Sequence, residues 1–196
     1  MDRYDYFPTS IFRSEQPQWV SESLNFFDQA ILKVIQSENL DPNQKVIQSY
    51  NLVGLDILSS VFQFFQESSR QILASQGYDM QRHNVNLTEM WAQEIKPLGF
   101  NDVHLHGNSQ VSGFYFLETP ENGSYPVFYD PRYEKQMSEL PHVPTEEVTY
   151  STNAIHFNNI KPGTFLIFNS WVKHNLVINQ SNQLTKCIHL IARHSQ

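Results

Sequence analysis

Three stretches of this 196-residue chain carry side chains able to grip a metal ion. They are His104-Leu105-His106, the segment PGTFLIFNSWVKH that ends on His174, and Asp130 in the run FYDPR. In an extended strand successive side chains point to opposite faces, so histidines two apart project from one face and can hold one ion between them. A further donor must then come from elsewhere in the fold, and His174 and Asp130 are the candidates. Neutral imidazoles with a carboxylate suit iron(II), manganese or zinc, and two histidines plus one carboxylate with open positions is an arrangement suited to non-haem iron.

Lys186 is the second kind of chemistry-bearing residue. In the final apolar segment Leu184, Lys186, Ile188 and Leu190 share one strand face, while Thr185, Cys187 and His189 share the other. A lysine on an apolar face needs a partner, because desolvating an unpaired charge is costly. An anionic ligand inside the fold would supply one. The alternatives are that the Thr185, Cys187 and His189 face points inward instead, or that Lys186 snorkels from the strand end.

Composition limits what these residues can serve. A chain of this length supports one well-packed domain, and its 40% hydrophobic and 13% aromatic content is that of a globular protein. The formal net charge of -7, without a Lys/Arg cluster, argues against a nucleic-acid surface. Its one cysteine, Cys187, excludes an internal disulfide and a cysteine-based zinc site. With no signal-like segment and no apolar run of membrane-spanning length, the expectation is a soluble cytoplasmic protein.

The positioning elements follow from periodicity. Tyr4 to Trp19 reads as an edge strand or extended arm. From a Ser21 cap, Leu24, Phe27, Ile31, Val34 and Ile35 predict an amphipathic helix ended by Asp41-Pro42. Leu55, Leu58, Phe62, Phe65, Ile72 and Leu73 predict a second helix, with Gly77 just past its end. Beyond Gly77 the period becomes two. Strands are expected over Glu89 to Ile95, Val103 to His106, Val111 to Leu117, Tyr125 to Tyr129, Asn153 to Ile160, Thr164 to Phe168 and Leu184 to Ile191. The turns are Gly107-Asn108-Ser109, joining the second and third of these, then Asn122-Gly123 and Pro162-Gly163. Arg132 to Asn153 reads as a long loop, suited to a lid or binding loop, with His142 a solvated member. His83, His156, His189 and His194 are read as structural or surface residues, and Phe168 and Trp171 as packing beside His174. The domain is thus one unit over 1–196, with a helical buttress to about residue 85 and a β-barrel core from about 86.

In order along the chain, Met90-Trp91, HLHGNSQVSGFYFLETP, FYDPR and KPGTFLIFNSWVKH resemble the 2-oxoglutarate and Fe(II)-dependent oxygenases of bacteria and their phages. The likeness is close over the second half of the chain and looser over the helical first half. It implies a mainly β fold with N-terminal helices, a double-stranded β-helix of the jelly-roll or cupin-like kind. It also implies Fe(II), 2-oxoglutarate and O2 as cofactor and cosubstrates, with hydroxylation of an unidentified substrate and release of succinate and CO2. In the family pattern a basic residue about a dozen positions past the distal histidine clamps the far carboxylate of 2-oxoglutarate. Lys186 falls there, in place of the more usual Arg. Tyr115 of the S-G-x-Y element and Arg132 of D-P-R are further candidates for the same carboxylate. Better-known relatives carry H-x-D where this chain has His104-Leu105-His106, so two ligand sets follow. One is His104, His106 and His174; the other takes Asp130 as the carboxylate, with one of the paired histidines behind it. The first is preferred and Asp130 is kept as a candidate. Two rivals are a cupin-like metalloenzyme that does not use 2-oxoglutarate and a catalytically silent jelly-roll module of viral origin.

Overall fold

A computed structural model describes residues 2, 7–38, 40–41, 43–137, 140–141, 143 and 147–195. The chain opens with strand β1 (Ile11–Glu15), and Pro17, whose ring fixes a helical φ, starts a 3-10 turn that feeds α1 (Val20–Ser37). The helix begins ahead of the expected Ser21 cap and stops short of Asp41; Pro42 lies outside the described residues. Phe27, Ile31 and Val34 are buried on the expected stripe, whereas Ile35 is 46% exposed. After β2 (Val46–Gln48), α2 (Ser59–Ser75) buries Val61, Phe65, Ile72 and Leu73. Gly77 follows at φ +91, the left-handed conformation that ends a helix without a Cβ penalty.

The remaining strands are β3 (Asn84–Ile95), β4 (Asn101–His104), β5 (Val111–Glu118), β6 (Pro126–Tyr129), β7 (Ala154–His156), β8 (Thr164–Asn169), β9 (His174–Leu176) and β10 (Thr185–Ser195). They form a six-stranded sheet, β1-β8-β5-β10-β3-β2, and a four-stranded sheet, β4-β9-β6-β7, and every pairing is antiparallel. Two strands, β2 and β9, were too short to show a period in sequence. The N-terminal segment is more than a helical buttress, since β1 and β2 are the edge strands of the large sheet. The Gly107-Asn108-Ser109 turn joins the expected strands but not as neighbours: β4 lies in the small sheet and β5 in the large one. Asn108, at φ +60, helps carry the chain across.

The large sheet is covered on both faces. Its outer face packs Leu87, Met90, Tyr115, Phe165, Ile188 and Leu190 against α1 and α2. Its inner face packs Phe114, Phe116, Leu166, Phe168 and Cys187 against Phe128 and Leu176 of the small sheet. Cys187 is free and buried, and burial pushes its thiol up to about 12. Among the described residues no helix is long and apolar enough to cross a membrane.

The segment after β6 contains the short helix α3 (Tyr133–Gln136) and is tied down through Asp130. The Asp130 carboxylate receives Arg132, and Lys135 lies 3.4 Å from it. Arg132 and Lys135 in turn donate to the carbonyl oxygens of Tyr150 and Ser151, closing the loop on itself. Glu139, His142, Pro144 and Glu146 of this segment lie outside the described residues.

Gly113 lets α2 sit directly on the sheet. A Cβ there would lie 2.7 Å from Phe65 Cε2 and 3.0 Å from the Leu166 carbonyl oxygen. Gly113→Ala should therefore overpack this contact and destabilise the fold by about 1–3 kcal/mol in urea denaturation. Unchanged stability would mean that the helix shifts freely on the sheet.

A candidate metal centre between the two sheets

The site is assembled on β4 and β9, at one edge of the small sheet. His104 and His174 are register partners across β4 and β9, and their ring centroids are 4.5 Å apart. Past His104 the chain leaves the strand, but the His106 amide donates to the Ser170 carbonyl at 3.0 Å and keeps its ring at the cluster. That ring lies 5.1 Å from His104 and 5.3 Å from His174, centroid to centroid. One ligand atom from each of the three histidines falls within 4.8 Å of the others.

Backbone carbonyls orient two of the rings. His104 Nδ1 lies 2.7 Å from the Asp102 oxygen, and His174 Nδ1 lies 2.9 Å from the Val172 oxygen. Since a carbonyl only accepts, each Nδ1 carries the proton and each Nε2 is left as a lone-pair donor. His106 Nε2 and His174 Nε2 are buried and have no hydrogen-bond partner. Orphaned polar atoms of this kind are costly, and a shared cation bound to the neutral rings would satisfy them. Burial first, then the neighbouring His104 and Arg193, hold His106 down to about 4; burial holds His174 down to about 3 against the opposing hydrogen bond to Val172, with His104 and His106 adding to the effect. Both rings are therefore neutral at pH 7, the protonation state that metal ligation requires. Phe168 and Phe114 stand edge-on to His174 at 4.7 and 5.6 Å and shield this side from water.

The other residues singled out in sequence lie elsewhere. Asp130, whose side chain is 5% exposed, belongs to the loop tie with Arg132 and Lys135; those two partners hold its carboxyl below the usual range against the opposing effect of burial. Among the described residues the group that could hold a metal is His104, His106 and His174, without Asp130. Arg132 binds Asp130 through both Nε and Nη2 and lies over the Tyr150 ring. Tyr115 is on the outer face, stacked on Phe165, and donates its hydroxyl to the Gln16 carbonyl at 2.7 Å. Lys186 is on that face too, with Nζ 2.8 Å from Asp28 and 3.3 Å from Glu118. Burial works against its charge, yet the two carboxylates hold its pKa above the ordinary lysine value. Lys186 thus finds its partners on the helix side, which corrects the expectation of a ligand partner inside the barrel.

The inward face of β10 is therefore Thr185, Cys187 and His189. His189, read from sequence as structural or surface, is 2% exposed and lies 4.8 Å from the His106 ring and 4.4 Å from Trp91. Its Nε2 has no partner, and neither have Trp91 Nε1 and Gln93 Nε2 on the neighbouring strand. The signal that would have found these residues is the same alternation that displaced Lys186.

Residues 89–189, just over half of the chain, match the family model described as "Putative 2OG-Fe(II) oxygenase". The chain belongs to the 2OG-Fe(II) oxygenase family. Its fold is shared with solved structures at low identity. A prolyl-4-hydroxylase from Pseudomonas putida is 9% identical with a TM-score of 0.63, covering 96% of this chain and 94% of that one. A viral collagen prolyl hydroxylase from Paramecium bursaria Chlorella virus-1, solved with 2OG, is 16% identical with a TM-score of 0.60, covering 95% and 96%. An oxidoreductase of the 2OG-Fe(II) oxygenase family from Burkholderia pseudomallei is 10% identical with a TM-score of 0.59, covering 93% and 84%. No curated protein matches the chain in sequence. The two facing sheets are thus a double-stranded β-helix, and the family's requirements are Fe(II), 2-oxoglutarate and O2. The three converging imidazoles of this oxygenase fit the metal.

His174→Ala should weaken Co(II) or Fe(II) binding by at least about 10–100-fold, the cost of disturbing even a supporting group at such sites. Asp130→Ala should leave the affinity unchanged; weakening by Asp130→Ala would make that carboxylate a ligand. The histidine pKa values also fix a pH dependence of stability. They are lowered in the fold, so between about 4 and 6.5 the unfolded chain binds more protons than the native one. The melting temperature of the metal-free protein should therefore fall as pH drops through that window. A flat profile would show that these rings are not buried neutral.

Proposed function

We propose that this oxygenase is a hydroxylase in which His104, His106 and His174 hold the iron. The observation that carries the reading is the convergence of their ligand atoms, two of them buried and unpartnered. Iron(II) bound there with 2-oxoglutarate supplies the chemistry, coupling oxidation of the oxo acid to succinate and CO2 with insertion of one oxygen atom of O2 into a substrate C–H bond. The chain's own part is geometry and dryness. Asp102 and Val172 carbonyls fix two ligand rings, while Phe114, Phe128 and Phe168 keep water from the inner side.

A groove of about 580 Å³ reaches His104 between the β2 edge of the large sheet and the β4 edge of the small one. Val34, Leu40 and Val46 give it an apolar wall; Glu38, Gln48 and Asp102 give it polar groups. This is the approach we assign to the substrate, which would carry an apolar body and hydrogen-bond donors or a positive charge. The reading places the enzyme in the cytoplasm, in keeping with its single buried free thiol.

The test is anaerobic addition of Fe(II) and 2-oxoglutarate to metal-stripped protein. A weak visible charge-transfer band should appear only with both, and should be lost in His174→Ala. Without a band from a folded protein that has bound iron, the cosubstrate assignment fails and a metalloenzyme that does not use 2-oxoglutarate takes its place. A protein that binds no iron at all would be a silent binding module.

A further inference from the structure

Beside the three histidines the inner face of the large sheet offers hydrogen-bond donors from Thr185 to His189, and Arg193, the cation that acts on His106, is already paired with Glu89. From Thr185 to Ile191 the inward residues of β10 are Thr185, Cys187, His189 and Ile191, and those opposite on β3 are Trp91, Gln93 and Ile95. His189 and Trp91 are register partners, as are Cys187 and Gln93, so Gln93 lies one inward position further along the sheet than the metal-proximal Trp91–His189 pair. Among the described residues six buried side-chain nitrogen or oxygen atoms lack a partner. Two are the metal-facing nitrogens of His106 and His174, and three are Trp91 Nε1, Gln93 Nε2 and His189 Nε2. Buried polar groups are nearly always hydrogen-bonded, so a cluster of orphans on one face marks a missing partner. Trp91 Nε1 and Gln93 Nε2 can only donate. The partner is therefore an acceptor. Gln93 is held ready for it, because its Oε1 already accepts from Gln48 Nε2 at 3.0 Å, which turns the amide nitrogen away from that bond.

We propose that Trp91, Gln93 and His189 form an uncharged subsite that holds the distal carboxylate of 2-oxoglutarate through hydrogen bonds alone. This rests on the reading that the three-histidine iron takes up the oxo acid. The charges balance. Three neutral imidazoles leave Fe(II) its double positive charge, and dianionic 2-oxoglutarate cancels it, so a lysine or arginine beside the carboxylate would leave an excess charge in a dry interior. The Lys186 ammonium is instead satisfied by Asp28 and Glu118 on the other face. Attraction for the dianion then comes from the metal, and the oxo acid binds only to the metal-loaded protein.

The experiment is an anaerobic titration of Fe(II)-loaded protein with 2-oxoglutarate and with 2-oxopentanoate, which has the same carbon chain without the distal carboxylate, read by the charge-transfer band. Isothermal calorimetry of the metal-free protein with 2-oxoglutarate runs beside it. The parent should prefer 2-oxoglutarate by at least about 10-fold, since hydrogen bonds to a charged group are worth that much or more. Trp91→Phe, which keeps the ring packing, and Gln93→Leu should each remove most of that preference and leave Co(II) affinity unchanged. Gln93→Glu should abolish 2-oxoglutarate binding by placing a second carboxylate beside the first. Lys186→Met should behave like the parent. Equal preference in the parent and in both neutral variants would overturn the subsite, as would 2-oxoglutarate binding to metal-free protein within 10-fold of the loaded form. If the parent gives no band with either oxo acid, the cosubstrate reading itself fails.

Discussion

Everything in this fold depends on a central sheet that is buried on both faces. β10 runs between β5 and β3, with helices against one side of it and the small sheet against the other. The side-chain period of a strand is two, so each residue of β10 is committed either to the helices or to the barrel, and a slip of one position would exchange the two sets. Ile188 and Leu190 go to the helices with Lys186; Cys187 and His189 go to the barrel. Register then carries the same division to β3, where Met90 and Ala92 face the helices while Trp91 and Gln93 face inward.

The candidate metal centre depends on both sheets, which contribute different things. The short strands β4 and β9 of the small sheet bring His104 and His174 side by side, and a backbone bond to Ser170 brings His106 to them. The large sheet contributes the wall: Phe114 and Phe168 against His174, and His189 and Trp91 against His106. Neither sheet could make the site alone. A ligand on an exposed edge would keep water as a competing partner, whereas here the wall removes water and lowers the pKa of the rings that the metal needs neutral.

Much of this was legible in the sequence. The apolar stripes gave both helices, the change of period after Gly77 gave the sheets, and the H-x-H spacing with His174 gave the residues that converge. What could not be read was parity and pairing. His104 and His106 were expected on one strand face, and they do converge, but with His106 beyond the end of β4 and held by its backbone bond to Ser170 rather than along a continuous strand. Lys186 shows the harder limit. An apolar face with one lysine and a polar face with one histidine look equally able to point inward until it is known what covers each. Asp28 and Glu118, which decide the matter, lie 158 and 68 residues away along the chain. Asp130 fails for a related reason: its type suits a metal, but the arginine two residues on and the lysine beyond it make it the tie of a loop.

The placement of charge follows one rule. Lys186, Asp28 and Glu118 lie on the helix side; Asp130, Arg132 and Lys135 tie the loop after β6; Arg193 pairs with Glu89 at the far end of β10 and β3. Each of these cations has a carboxylate partner at hand, and the inward residues of β10 and β3 from Thr185 to His189 are aromatic, aliphatic or neutral polar. The largest field that can appear there is the one a metal brings, unscreened by counter-charges and strengthened by the low polarity of the wall. A neutral ligand set is a poorer trap for the bare ion than one containing a carboxylate, but it leaves more of the ion's charge to act on what binds next. For an enzyme whose cosubstrate is a dianion, that trade moves binding energy from the metal to the oxo acid. It makes uptake of the second conditional on the first.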